Sequence, residues 1–325
     1  MEASVRMTAQ TDAAAPAWNH GLHRDLVARC DRLEPVITTV AHPCDLASLA
    51  GAAEAAEAGL IEPILVGPEA RIRTAATLGG IDISRFRIVA EPHSHAAAAR
   101  AVAMVRAGEA AMLMKGSLHT DELMREVVSS ETGLRTARRV SHAFLMDVPS
   151  YPRPLLITDA AINVTPDLEA KADIVQNAID LAHVLGLAMP RVAIVSAVET
   201  VTPKLPSTID AAALCKMADR GQITGGLVDG PLALDNAISP EAARDKGIRS
   251  CVAGMADILV VPDLESGNML VKQLTFLAGA DAAGVVLGAR VPIILTSRAD
   301  SDASRVASCA IGVLMVNHPR ASVAA

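Results

Sequence analysis

Ser297-Arg298-Ala299-Asp300-Ser301 follows directly on the apolar run Val291-Pro292-Ile293-Ile294-Leu295. A serine, an arginine and an aspartate where a buried strand gives way to a helix can form an anion site. The helix start offers free N–H groups, and the guanidinium adds a forked donor. The same residues suit an ordinary helix cap, and spacing alone leaves both open. Asp263-Leu264-Glu265-Ser266-Gly267-Asn268 follows a second apolar run, Ile258-Leu259-Val260-Val261. A capped turn accounts for it, yet Gly267 inside a helix start points to close approach of backbone or ligand. Lys115-Gly116-Ser117-Leu118-His119-Thr120 ends a third run. A basic residue followed by small and hydroxyl residues can cradle a phosphate, although the GxxxxGK[ST] loop is absent. Arg125 lies six residues past His119 in the next helix. Taken singly, Arg125 suits a solvated surface and His119 a structural position. In Thr158-Asp159-Ala160-Ala161-Ile162-Asn163 two polar residues stand among small ones at a strand end, and a turn explains them equally well.

Metal and dinucleotide chemistry find no support. His42, His93, His95 and His183 lack HxxxH or HExxH spacing, and no GxGxxG opens a helix.

These clusters need strands and helices to hold them. Short, non-alternating, β-branched runs at Ile258–Val261, Ala283–Leu287 and Val291–Leu295 read as strands buried on both faces of a parallel sheet. In such sheets ligands gather at the carboxyl ends of strands. From residue 36 the pattern alternates: strand 36–41, helix 45–58 with Asp45 as cap, strand 61–66, helix 69–78, strand 86–90, helix 94–107, strand 110–114, helix 120–131. That order predicts a doubly wound parallel sheet. Strands 140–148 and 155–158 stand too close for a parallel crossover, so they form an antiparallel pair or a passage between domains. Thr165-Pro166 opens a helix ended by Gly186, and a strand at 192–195 follows. Helices are expected near 208–218 and 239–246, and a last one over 301–316 returns to the first domain. The expected division is a disordered tail over 1–17, a first α/β domain over 18–145 plus 296–325, and a second over 146–295.

Composition narrows the partners. The chain has 325 residues, 51% hydrophobic but 2% aromatic, so its core is built from Ala, Val, Leu and Ile. A net charge of −7 and few aromatics argue against nucleic acid. No run approaches the ~18 apolar residues of a membrane helix. Five scattered cysteines without a CxxC pair fit reduced thiols in a cytoplasm.

Read together and in order, the motifs carry more than each does alone. MKGSLHTDELMREVV, SHAFLMDVP, LLITDAAINVTPDLEAKADIVQNA, AAALCKMADRGQI, VDGPLALDNAIS, VAGMADILVVPDLESGNMLVKQL and PIILTSRADS resemble the phosphate acetyltransferase/phosphate butyryltransferase family. LITDAAIN, DGPLALDNA and LTSRADS look more like the butyryl branch. The resemblance implies two doubly wound α/β domains with a cleft between them, like the isocitrate/isopropylmalate dehydrogenases, and a homodimer. It implies reversible acyl transfer between coenzyme A and phosphate, with acyl-CoA as substrate and no permanently bound cofactor or metal. It places Ser297 and Arg298 at the reacting centre and Arg125, allowing one gap, on substrate. Lys115, Gly116, His119, Asp159, Asn163, Asp263, Gly267 and Asn268 would line the substrate site. The acetyl branch carries a base Asp seven residues after the serine; here that position is Ser304, and Asp300 within SRADS is the expected base, with Asp302 its rival. Domains of this family also serve as non-catalytic acyl-CoA sensors. The intact Ser297-Arg298 pair argues for the enzyme.

Overall fold

The computed structural model describes residues 20–296 and 300–318. The tail expected over 1–17 lies outside them. The first part alternates as the sequence dictates: α1 (Leu22–Ala28), β1 (Val36–Ala41), α2 (Leu46–Glu57), β2 (Ile61–Gly67), α3 (Glu69–Gly79), β3 (Arg87–Ala90), α4 (Ser94–Arg106), β4 (Met112–Lys115) and α5 (Thr120–Val127). Asp45 caps α2 by accepting the Ser48 N–H at 2.8 Å, which fixes where the helix starts. β5 (Ser141–Asp147) and β6 (Leu155–Thr158) pair antiparallel, Phe144 opposite Ile157. Then come α6 (Leu168–Val184), β7 (Arg191–Val195), α7 (Pro206–Asp219), β8 (Leu227–Leu232), α8 (Leu234–Ile238) and α9 (Pro240–Asp245). The chain goes on through β9 (Ile258–Val260), α10 (Leu264–Ala278), β10 (Asp281–Leu287), β11 (Ile293–Ile294) and α11 (Asp302–Asn317).

Three local expectations differ from the structure. α6 starts later than Thr165-Pro166, because Asp167 accepts the Ala170 N–H at 2.9 Å and caps it. β8 was not evident, since Asp229-Gly230-Pro231 interrupts its apolar pattern. β10 is antiparallel to both neighbours, although its buried run suggests a parallel strand. Burial on both faces sets that composition, whatever the direction of the partners.

All eleven strands join in one sheet, in the order β3-β2-β1-β4-β11-β10-β5-β6-β9-β7-β8. β3, β2, β1, β4 and β11 are mutually parallel, as are β6, β9, β7 and β8. One face carries a continuous core that reaches from α1, α2 and α11 to α6 and α7. The other face carries two separate cores. One gathers α4 and α5 over β4 and β11; the other gathers α8, α9 and α10 over β6, β7 and β9. Between them the sheet floor is formed by β10 and β5. Among the described residues no helix is long and apolar enough to cross a membrane.

Candidate active site

Chain order places the first polar group. The chain runs from β1 outward to β2 and β3, then returns to the other side of β1 with β4. Where the winding reverses, the carboxyl ends of β1 and β4 open a crevice. Lys115 sits there, 8% exposed, and its Nζ donates to the Gly116 carbonyl at 3.4 Å. Gly116 lies against the end of β1: its N–H donates to Ala41 at 2.9 Å, and a Cβ there would fall 2.7 Å from the His42 carbonyl carbon. Only glycine fits that approach. His119 and Arg125 are exposed on α5, His119 at its start and Arg125 in its last turn. β11 runs parallel beside β4, with Ile294 opposite Met114. Leu295-Thr296 therefore leaves the sheet next to Lys115-Gly116.

Ser297 and Arg298 lie outside the described residues. Asp300 is half-buried just before Ser301, which caps α11 by accepting the Ser304 N–H at 3.1 Å. Ser304 is mostly buried within that cap, and its own hydroxyl meets the Ser301 hydroxyl at 3.0 Å. Asp302 accepts from Arg305 at 2.8 Å.

A second group forms across the floor. Asp159 is 3% exposed and accepts four N–H bonds, from the backbone of Ala161 (2.9 Å), Ile162 (3.0 Å) and Asn163 (3.2 Å) and from the Asn163 amide (2.6 Å). The Asn163 amide also donates to Val140 and its oxygen accepts from Arg139 at 2.8 Å. These bonds close the 159–163 turn on itself. The start of α10 packs onto it. Asp263 caps the helix through Ser266, the Asn268 amide donates to Ala160 at 3.3 Å, and a Cβ on Gly267 would fall 3.0 Å from that of Ala160. Burial pushes the Asp263 carboxyl up, but the Ser266 bonds and the Lys171 charge outweigh it and hold the group below its usual value. The structure thus brings Asp159, Asn163, Asp263, Gly267 and Asn268 into one cluster and Lys115, Gly116 and the end of β11 into another.

Two histidines that spacing did not single out stand at these strand ends. His42 follows β1 with φ 57°, in the left-handed region, and is 4% exposed. Its Nδ1–H donates to the Ser117 carbonyl at 3.1 Å, which leaves Nε2 as the bare nitrogen. Burial lowers its pKa. His142 opens β5 on the floor, fully buried, its ring 4.3 Å from that of Phe144. Burial holds it neutral, pushed down to about 4, with Asp159 and the Leu295 carbonyl opposing. The signal in the sequence was a histidine inside an otherwise apolar strand, Ser141-His142-Ala143-Phe144-Leu145.

All five cysteines are free thiols. Burial pushes Cys30 and Cys44 up to about 11 and Cys215 and Cys309 up to about 12, so these four hold their protons. Among the described residues no group of three or more His, Cys, Asp or Glu is placed to hold a metal ion.

Comparison with known proteins agrees with this geometry. Residues 90–313 match the family model described as phosphate acetyl/butaryl transferase. The chain belongs to that family. It is 67% identical over 297 residues to a phosphate acetyltransferase of Rhizobium meliloti, covering 91% of this chain and 94% of that one. It is 44% identical over 265 residues to a phosphate butyryltransferase of Clostridium acetobutylicum, covering 82% and 88%. Among solved structures, a branched-chain phosphotransacylase from Enterococcus faecalis superposes with a TM-score of 0.75 at 31% identity, over 87% of this chain and all of that one. A phosphotransacetylase from Streptococcus pyogenes, 23% identical, shares the fold with a TM-score of 0.77 over 92% of this chain and 99% of that one. The transacylase fold accounts for the single sheet with a bare floor between two helix groups.

Proposed function

We propose that this protein is a phosphate acyltransferase that moves a short acyl group, acetyl or butyryl, between coenzyme A and inorganic phosphate. The observation that carries the reading is the side-by-side exit of β4 and β11 at their carboxyl ends, in a chain of the phosphate acetyl/butyryl transferase family. Phosphate binding asks for cations and N–H donors, and these two strand ends lead into Lys115-Gly116 and Ser297-Arg298.

Transfer runs directly in a ternary complex. The CoA thiol gives its proton to Asp300, and the thiolate attacks the carbonyl carbon of the acyl phosphate. The C–S bond forms, negative charge builds on the carbonyl oxygen, and the C–O bond to phosphate breaks. Phosphate leaves with the electron pair. In reverse, phosphate attacks the thioester and CoA leaves as thiolate. Arg298 and Arg125 hold phosphate oxygens, Ser297 orients the thiol or carbonyl, and Lys115, Gly116 and His119 border the anion. The Asp159–Asn163 turn and Asp263, Gly267 and Asn268 shape the opposite wall. The buried thiols support this direct route, since a protonated Cys30, Cys44, Cys215 or Cys309 is a poor acyl acceptor. Asp302 is already engaged by Arg305, which leaves Asp300 as the carboxylate of choice within SRADS. The working unit is a homodimer in the cytoplasm.

The test is thiol release from acetyl- through hexanoyl-CoA with and without phosphate. Phosphate-dependent release establishes the activity, and the preferred chain length settles the acyl group. Release that ignores phosphate refutes the reading. Arg298→Ala should lower kcat at least ~100-fold, the order seen when one transition-state donor is removed. Near-normal turnover removes Arg298 from the mechanism.

A further inference from the structure

The floor between the two clusters holds a polar group that no step above uses. His142 lies opposite Val286, and Val286 lies opposite Ile293, so these three form one row across β5, β10 and β11. Directly paired residues share a face, and residues two apart along a strand share it too. His142 therefore projects on the same side as Gly284 and Leu295. Gly284 makes room for it: a Cβ there would fall 2.9 Å from the imidazole Cε1 and 3.0 Å from Nε2. The Phe144 ring closes the other side at 4.3 Å. Within this slot the imidazole is fully buried, and neither ring nitrogen has a well-aligned hydrogen-bond partner among the described residues. The two groups that act on it are the Leu295 carbonyl, at the end of β11, and the Asp159 carboxylate, at the end of β6. Asp159 is already saturated by four N–H groups, which leaves the Leu295 carbonyl as the acceptor with capacity.

We propose that His142 is a positioning residue for acyl transfer: its ring N–H holds the Leu295 carbonyl, and so sets the turn that leads into Ser297-Arg298 relative to the Asp159 wall. This rests on the acyltransferase reading above. A buried imidazole without a well-aligned bond is a cost to the fold, and an apolar residue of similar size would spare it. Retention of the ring is therefore explained by the bond it makes when substrate draws the β11 end into place, and not by stability of the free protein.

The experiment compares wild type, His142→Leu and His142→Gln in the phosphate-dependent assay and in thermal unfolding. For His142→Leu we expect kcat to fall at least ~10-fold, below the ~100-fold of a direct donor, because the effect acts through another group. KM for acyl-CoA stays within ~3-fold and Tm does not drop, as expected when a poorly satisfied buried polar group is removed. His142→Gln, which keeps an N–H donor, should recover part of the loss. The proposal is overturned if His142→Leu keeps kcat within ~3-fold of wild type, or if its lost activity comes with a matching fall in Tm and no recovery in His142→Gln. Failure of the wild type to release thiol in response to phosphate sinks the acyltransferase reading itself, a distinct outcome.

Discussion

At the residue scale, burial decides which side chains are available for chemistry and in what charge state. His142 shows this most sharply. Its unfolded value is 6.5 and its folded value about 4, because burial disfavours the cation more than Asp159 favours it. Below pH 6.5 the unfolded chain therefore takes up a proton that the folded chain refuses. Stability should fall as pH drops from about 6.5 to 4 and level off beneath, with a total of ~3 kcal/mol from this one group. Urea unfolding at a series of pH values measures the slope. In His142→Leu most of it should vanish, and the remainder belongs in part to His42, which burial shifts the same way. An unchanged slope in that variant would assign the acid sensitivity elsewhere. Ser304 makes the complementary point. The residue at the family's base position is tied into the cap of α11 and lacks an ionisable group at neutral pH, so the proton must go to a neighbour.

At the element scale, glycines set how closely strand ends and helices approach. Gly116 lets the end of β4 touch the end of β1, and Gly267 lets α10 lie on the 159–163 turn. In Gly116→Ala the new methyl would meet backbone of Ala41 and His42, which cannot rotate away. A destabilisation of ~2 kcal/mol follows, within the range for overpacking. The Lys115–Ser117 turn should shift with it, so phosphate KM rises more than acyl-CoA KM; equal KM values and an unchanged Tm would show that the approach has slack. Elements of this kind were legible in the sequence. β1, α2, β2, α3 and α4 fall where their caps and apolar runs predict, because each obeys one local rule. β8 escaped notice because an edge strand needs no continuous apolar run, and Asp229-Gly230-Pro231 breaks its pattern. The antiparallel course of β10 escaped too, since direction is set by partners far away in sequence, Ile293 on one side and Ser141 to Asp147 on the other.

At the scale of the whole molecule, the question is how two wound halves act as one body. The candidate site could be read from family motifs, but the floor beneath it could not: His142, Gly284 and Leu295 are far apart in the chain and meet only through strand register. The same register binds the halves mechanically. β5 and β10 pair over seven residues, from Asp281–Asp147 to Leu287–Ser141, and the core on the opposite face runs unbroken beneath both helix groups. Separating the halves would expose that core and the hydrogen-bonded edges of β5 and β10 together. Unfolding of one half alone therefore carries nearly the cost of unfolding both. We expect calorimetry of the free protein to show a single cooperative transition, with van't Hoff and calorimetric enthalpies in agreement per cooperative unit. Acyl-CoA at 100 times its dissociation constant should move that one transition upward, by the equivalent of ~2.7 kcal/mol, without splitting it. Two resolved transitions, only one of them shifted by acyl-CoA, would mean that the sheet is a seam between independent domains, and that the site is assembled by docking them and not by the strand register itself.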